Sequence, residues 1–357
     1  MRAIAITRTY GSVEQFSAVE TITPTDPQGY EVIVKIKACS VNPIDTKVRA
    51  GIYDDFTDYF DHVPPFPHII GFDASGVITA VGSQASSEFN FRAGDEVYYS
   101  ASPTKQGTNA EYHVTDARTI AKKPVNLSWE EAAALPLTAI TAFEAVVERL
   151  EIKHAEKAAI LVINGAGGVG SIASQILRSP DFLGLETVVT TSSRPETTEF
   201  TRRMGATHVI NHHDDLAEQL DALKLDVPLK YAFITHTPND EYVRVLSDLV
   251  APFGKICSIV QGPTPLGPGI RAMGKSLSYH WCLIGTKPYY GIDLESHGSF
   301  LKKLTGLIEA GKIKSHMTRI LPLSVDGLKE AHSLVEGGKE MGKICLSVEK
   351  AGDDSFR

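Results

Sequence analysis

The stretch Ala159-Ile-Leu-Val-Ile-Asn-Gly165-Ala-Gly167-Gly168-Val169-Gly170-Ser-Ile-Ala-Ser-Gln-Ile-Leu177 decides how the rest of the chain is read. An apolar run of strand length leads into a glycine-rich turn. An apolar-periodic segment (Val169, Ile172, Ala173, Ile176, Leu177) opens directly after it. Strand, turn and helix N-terminus in that order turn G-x-G-x-x-G from a weak pattern into a dinucleotide-binding fingerprint. Gly165 is expected to permit the tight turn. Gly167 lets backbone approach a pyrophosphate with no Cβ in the way, and Gly170 lets the helix pack close to the strand. Around Gly168 and Val169 the helix then points unpaired N–H groups and its positive dipole end at the phosphates. The bland alternative is a glycine-rich βα turn with no ligand.

Strands and helices alternate on the C-terminal side of this turn. Strands are expected at 159–163, 186–191, 207–210, 230–235 and 254–260, with helical segments near 171–178, 196–204, 215–223 and 240–250. That alternation, with nearly unbroken apolar strands, predicts a doubly wound parallel sheet covered on both faces. Upstream, residues 1 to about 125 read as β-rich, with short alternating runs such as Glu31–Lys37 and Gly76–Val81 separated by turn clusters. No helix of length is expected there, and Gly82–Asn90 reads as a polar insertion between strands. Ser128 followed by Glu131 is a capping box, and 137–150 reads as a further helix. Beyond a Pro/Gly loop at 261–269 come an amphipathic helix over 299–310, a short extended run from Ile320, a helix over 325–336 and a final strand over 343–348. The tail 351–357 is expected to fray.

At 357 residues two domains are the natural expectation. A net charge of −8 argues against nucleic acid or an anionic membrane as partner. No apolar run approaches transmembrane length. The N-terminus reads as a first strand and not a signal peptide. The four cysteines, Cys39, Cys257, Cys282 and Cys345, are scattered in apolar, strand-like contexts. That usage suits a reducing compartment, so the cytoplasm is the expected location.

Nicotinamide dinucleotide sites with an NAD preference usually place Asp or Glu about 20 residues past the glycines, at the end of the second strand. Here that place is Thr190-Thr-Ser192-Ser193-Arg194-Pro195, with no acid. A carboxylate would repel a 2′-phosphate, whereas Arg194 offers a fork of donors that matches one. NADPH is therefore the expected cofactor. The alternative is an arginine on a solvated loop.

The order of motifs resembles the medium-chain dehydrogenase/reductase superfamily, in its zinc-lacking, quinone oxidoreductase-like branch. The residues that carry the resemblance are Ala38-Cys-Ser-Val-Asn42-Pro43-Ile-Asp45, Gly71-Phe-Asp-Ala-Ser-Gly76, Arg92-Ala-Gly-Asp-Glu-Val97, Gly107-Thr-Asn-Ala-Glu-Tyr112, Leu135-Pro-Leu-Thr-Ala-Ile-Thr-Ala142, the glycine turn, and Gly342-Lys-Ile-Cys-Leu346. The resemblance implies an α/β fold: a GroES-like β-rich catalytic domain (1–125 and 290–357) split around an inserted Rossmann domain, a doubly wound parallel sheet (126–289). It implies a homodimer through the cofactor-domain sheets and a small-molecule substrate between the domains.

Zinc-dependent relatives carry Gly-His-Glu, whose histidine binds catalytic zinc; the matching stretch here is Gly71-Phe72-Asp73. The family's cysteine ligand position falls on Asn42, and the four-cysteine structural lobe is missing around 100–109. Catalytic zinc needs three protein ligands and an open position, and neither the His62/His68 pair nor His212-His213 supplies a cluster. No metal is expected. Hydride transfer then needs hydrogen-bond donors where negative charge develops. Asn42 is the first candidate, its alternative being an amide that caps the turn before Pro43. Tyr53 matches a tyrosine that some relatives place over the active site, where it would orient substrate or donate a proton; its alternative is a surface aromatic. Asp45 and Asp73 are expected to organise backbone, and Cys39 to be a packed thiol. By resemblance, Thr138 and Thr235 face the cofactor, and Lys343 and His212 add contacts at its adenosine end. Phe56, Tyr59, Phe60, Tyr279, Trp281, Tyr289 and Tyr290 are candidate walls for a planar acceptor. The leading expectation is an NADPH-dependent, zinc-independent reductase of quinones or α,β-unsaturated carbonyls. A metal-free alcohol/aldehyde oxidoreductase and a non-catalytic NADPH-binding sensor are the alternatives.

Overall fold

The computed structural model describes residues 1–52, 62–261 and 269–357. The chain divides into two compact units: Met1–Leu137 with Gly285–Arg357, and Thr138–Ile284.

In the first unit, β1 (Arg2–Ile6) pairs antiparallel with β2 (Phe16–Glu20). The main sheet holds β3 (Glu31–Val41), β4 (Asp73–Val81), β5 (Glu96–Ser100), β6 (Tyr112–Asp116), β7 (Ile120–Lys122), β14 (Met317–Pro322) and β15 (Lys343–Ser347). Its order is β14-β15-β3-β4-β5-β7, with β6 also against β3. The long β3 is the hub. Its register against β4 slips twice, between Ile33 and Val34 and between Ile36 and Ala38, and this sets Ser40 opposite Asp73. On its other side Val41 stands opposite Ile344, one residue from Lys343. Three chemistry-bearing positions far apart in sequence thus meet at one end of β3. The helix α3 (Trp129–Ala133) begins at the expected capping box, with Glu131 N–H donating to Ser128 Oγ at 3.1 Å and Ser128 N–H to Glu131 Oε2 at 2.9 Å. It packs on β3, β4 and β15, and so belongs with this unit and not with the one that follows.

Among the described residues, two short helices interrupt the β-rich pattern expected for this region. The first, α1 (Pro43–Ala50), starts at Asn42, whose N–H donates to Asp45 Oδ2 at 2.7 Å. Pro43 sits in its first turn, and Gly51 closes it at φ +72°. The second, α2 (Ser83–Ser87), occupies the stretch read as a polar insertion. The C-terminal tail is also not frayed: Phe356 is buried, its N–H donates to Leu323 O at 2.8 Å, and Val325 N–H donates to Arg357 O at 2.7 Å. A single apolar side chain near the end anchors it.

The second unit is built on six parallel strands: β8 (Ala159–Ile163), β9 (Thr187–Thr191), β10 (His208–Ile210), β11 (Leu229–Ile234), β12 (Lys255–Ser258) and β13 (Ser278–Trp281). Their order is β10-β9-β8-β11-β12-β13. All five residues of β8 are buried, as a central strand covered on both faces requires. The helix α4 (Pro136–Phe143) continues as a π-helical turn over Glu144–Arg149. The helices α5 (Gly168–Arg178), α6 (Pro195–Arg203), α7 (Leu216–Leu223) and α8 (Asn239–Leu249) connect the first five strands. Because the strands are parallel, their carboxyl ends share one edge, and the order reverses beside β8, where such sheets bind ligands. The strand β13 is absent from the sequence reading; it is polar and half-exposed, without the apolar run that marked the others. In the first unit, α9 (Glu295–Glu309) and α10 (Val325–Glu336) complete the fold. No helix of the described residues is long and apolar enough to cross a membrane.

Candidate active site and nucleotide-binding edge

At the end of β3 the first unit buries a dense polar cluster. Asp73 is fully buried and accepts from Ser40 Oγ at 2.7 Å, from Asn42 Nδ2 at 2.8 Å and from Leu137 N–H at 2.8 Å. The Lys343 ammonium lies 3.5 Å from Asp73 Oδ2 and donates to Val41 O at 2.8 Å and to Asn42 Oδ1. Asn42 is therefore fully buried with both ends of its amide engaged. Asn42 stands at the N-cap of α1 with no capping bond from its amide; its side chain is held instead in a buried cluster with Asp73 and Lys343. Lys343 departs from its expected place at an adenosine end. Its three donors are taken inside this cluster, because a buried ammonium must be matched by acceptors and charge.

The positions that hold zinc in relatives do not fit a zinc ion here. Phe72 has no lone pair to offer and is buried. The Asn42 amide and the Asp73 carboxylate are occupied by each other and by Ser40 and Lys343. Among the described residues no group of three or more His, Cys, Asp or Glu is placed to hold a metal ion. Cys39 donates to Thr108 O at 3.2 Å, and burial pushes its thiol up to about 12, so it is a packed thiol and not a nucleophile. Tyr53, Phe56, Tyr59, Phe60 and the acidic run 54–61 lie outside the described residues, as does most of the 261–269 loop. Tyr289 and Tyr290 meet edge-on at 4.8 Å, and His62 stacks on Tyr289 at 5.3 Å.

The carboxyl edge of the second unit collects the other candidates. The sharp turn after β8 is made by Asn164, at φ +63°, and not by Gly165. Gly165 is needed for another reason: a Cβ there would stand 2.6 Å from Thr190 Cβ and 2.7 Å from Thr201 Cγ2, on β9 and α6. A Cβ on Gly167 would stand 2.7 Å from Asn164 Nδ2, and one on Gly170 would stand 2.2 Å from Asn164 O. The turn is locked by Asn164 N–H donating to Thr191 Oγ1 at 2.8 Å and Gly165 N–H to Thr191 O at 3.0 Å. With Gly167 as its N-cap, α5 begins at Gly168, Val169 and Gly170, whose N–H groups have no helical carbonyl ahead of them. These unpaired N–H groups at the start of a helix, after a tightly packed glycine turn, fit a pyrophosphate.

At the end of β9 the three candidates separate. Ser192 is buried, and its hydroxyl donates to Thr197 Oγ1 at 2.6 Å. Its hydroxyl is turned onto the first turn of α6 instead of facing outward, away from the phosphate-donating role expected for it. Ser193 is exposed. Arg194, the N-cap of α6, is partly exposed and pairs with Glu196 Oε1 at 3.2 Å. His212 follows β10 with His213 beside it at 4.4 Å between ring centroids. Burial, then the charges of His213 and His236, lower its pKa. Thr235, at the end of β11, donates to Ile163 O at 2.6 Å. Thr138 is buried in α4. Trp281 and Tyr279 lie on the outermost strand β13, edge-on at 5.2 Å.

A β-rich unit interrupted in sequence by a doubly wound parallel sheet with a glycine turn is the architecture of medium-chain dehydrogenases. Residues 28–125 match the alcohol dehydrogenase GroES-like domain family, and residues 204–346 match the zinc-binding dehydrogenase family. A zinc-type alcohol dehydrogenase-like protein of Staphylococcus epidermidis is 36% identical over 328 residues, covering 90% of this chain and 92% of its own. An NADPH-dependent alkenal/one oxidoreductase of Arabidopsis thaliana is 30% identical over 345 residues, covering 94% and 77%. The crystal structure of Escherichia coli quinone oxidoreductase complexed with NADPH superposes at a TM-score of 0.77 with 27% identity, covering 97% of this chain and 100% of that one. The chain belongs to the medium-chain dehydrogenase/reductase superfamily, with the zinc-type alcohol dehydrogenase-like proteins among its relatives, and is an oxidoreductase of that class.

Proposed function

We propose that this protein is an NADPH-dependent reductase of quinones or α,β-unsaturated carbonyls that works without zinc. The observation that carries the reading is the replacement of the zinc-ligand positions by Phe72 and by an Asn42 amide tied to Asp73 and Lys343. Without a Lewis acid, nothing in the cluster would lower an alcohol's pKa, whereas a conjugated carbonyl needs only orientation and hydrogen-bond donors. The alkenal/one reductase and quinone oxidoreductase relatives support the same reading.

Bound NADPH supplies the hydride. The glycine turn and the N-terminus of α5 hold its pyrophosphate, while Ser193 and Arg194 hold the 2′-phosphate in place of an acid. His212, Thr235 and Thr138 border the same nucleotide. Tyr53 is the proposed substrate-orienting residue, and Asn42, buried with both ends of its amide engaged, acts on the substrate through the cluster it completes. A homodimer formed by continuing the sheet through β13 is part of the proposal, since Trp281 on that outermost strand is 49% exposed. A panel of quinones, enones, alcohols and aldehydes, assayed with NADPH on protein of measured metal content, tests the function. NADPH oxidation by quinones or enones, unchanged by chelators, is expected; stoichiometric zinc with chelator-sensitive alcohol turnover would overturn it.

A further inference from the structure

The buried cluster at the end of β3 contains a second carboxyl, only one of whose oxygens is used. Asp45, on α1, is 1% exposed. Its Oδ2 accepts the Asn42 N–H at 2.7 Å, while its Oδ1 is buried with no hydrogen-bond partner. Within the cluster Asp45 and Asp73 each bring one negative charge when ionised, and Lys343 brings one positive charge. Fully ionised, the set holds one unmatched negative charge out of reach of water. Such a charge is costly to bury, and the group takes up a proton instead. Lys343 is held by Asp73, Asn42 and Val41, so the open oxygen of Asp45 is the place left for that proton.

We propose that Asp45 is a positioning residue that carries a proton on Oδ1 in the active protein, keeping the Asn42–Asp45–Asp73–Lys343 cluster neutral, and that losing this proton switches reduction off. The other titratable groups around the cluster do not supply the balance. On β3, the buried Cys39 thiol stays neutral at physiological pH. Ahead of β14, burial and then the Lys343 charge lower His316 to about 3, so it is neutral as well. On β15, burial holds the Cys345 thiol in its neutral form, with Glu130 adding negative charge nearby. On α1 itself, Arg49 donates to Gly11 O at 2.7 Å and pairs with Glu336. Burial raises the Asp45 carboxyl to about 7 against the opposing pull of the Asn42 N–H and of Lys343.

The consequence for turnover rests on the proposed reading that the substrate carbonyl is reduced beside the Asn42 cluster. Hydride arrival puts negative charge on that oxygen, and an unmatched carboxylate bonded to Asn42 opposes it. Asp45 is protonated below about 7, so kcat is level on the acid side and falls on the alkaline side, by about tenfold per pH unit in the limit of one proton.

Infrared spectroscopy of the full-length protein, with and without carbon-13-labelled aspartate, tests the proton itself. Wild type should show a protonated-carboxyl band that shifts with the label and titrates away near neutrality. Asp45→Asn, which keeps an amide oxygen for the Asn42 N–H, should lack that band and lose the alkaline fall in kcat while its KM for NADPH stays unchanged. Should Asp45→Asn not fold, Asp45→Ser is judged by the same band. No titrating band in wild type, a band that persists in the variant, or an alkaline fall that survives the substitution would each overturn the proposal. The expected band in a protein that reduces no quinone or enone would uphold the proton site and refute the functional reading instead.

Discussion

Arg194 is where a single residue speaks most directly about cofactor choice. It stands at the carboxyl end of β9 with a partly exposed guanidinium, beside an exposed Ser193 and with no acid in the run from Thr190 to Pro195. A charge-assisted contact from arginine to a phosphate is worth about 1.5–3 kcal/mol. Arg194→Ala should therefore raise the KM for NADPH roughly 10- to 100-fold, while the KM for NADH, which has no 2′-phosphate, barely moves. Steady-state kinetics with both cofactors check this. Equal weakening of the two would reduce Arg194 to a loop residue. Ser192 adds little to that contrast, because its hydroxyl is already committed to Thr197. An Asp at that buried position would disturb the hydroxyl pairing with Thr197 on α6 as well as any ligand.

Among the elements, the turn from β8 into α5 tolerates little change. A Cβ on Gly170 would lie 2.2 Å from the carbonyl oxygen of Asn164. That atom is backbone, held in a left-handed turn, and cannot swing aside as a flexible side chain would. Gly170→Ala should cost about 1–3 kcal/mol through overpacking and should weaken NADPH binding by displacing the N-terminus of α5. Denaturant midpoints and fluorescence titration with NADPH read the two effects. Wild-type affinity in that variant would mean the turn does not carry the nucleotide. By contrast, α1 was legible in principle. Asn42-Pro43-Ile-Asp45 holds an N-cap residue, a first-turn proline and an acid three residues after the cap, the pattern that starts helices. Its eight residues are too short for apolar periodicity to announce them.

For the whole molecule, four buried histidines set the response to acid. Burial lowers His332 and His316 to about 3, with Arg49 and Lys343 adding to it, and lowers His68 and His113 to about 4. Each is neutral in the fold, while the unfolded chain takes up its proton near 6.5. Between those values the unfolded state binds more protons, so stability falls as pH drops below about 6.5. Asp45 works the other way, its ionisation disfavouring the fold between its ordinary value of 3.8 and about 7, but one carboxyl is set against four imidazoles. Urea midpoints across this range should decline steadily toward acid. His332, with neither ring nitrogen hydrogen-bonded, packs edge-on against Phe16 at 4.8 Å. His332→Leu should shift the decline to lower pH; a midpoint curve unchanged from wild type would remove His332 from the account.

The sequence by itself determined the doubly wound sheet, the glycine turn, the capping box at Ser128 and the absence of an acid after β9. Each of these is a local matter of apolar runs, small residues and their spacing. Tertiary structure decided which side chains are already taken. Lys343 and Asn42 stand about three hundred residues apart (301), and only the double slip in the register of β3 and its pairing with β15 bring them together around Asp73. The inward turn of Ser192, the pinned tail at Phe356 and the open oxygen of Asp45 are likewise facts of packing. Whether a polar group is free or matched depends on neighbours that pairing and burial bring, and no local pattern encodes them.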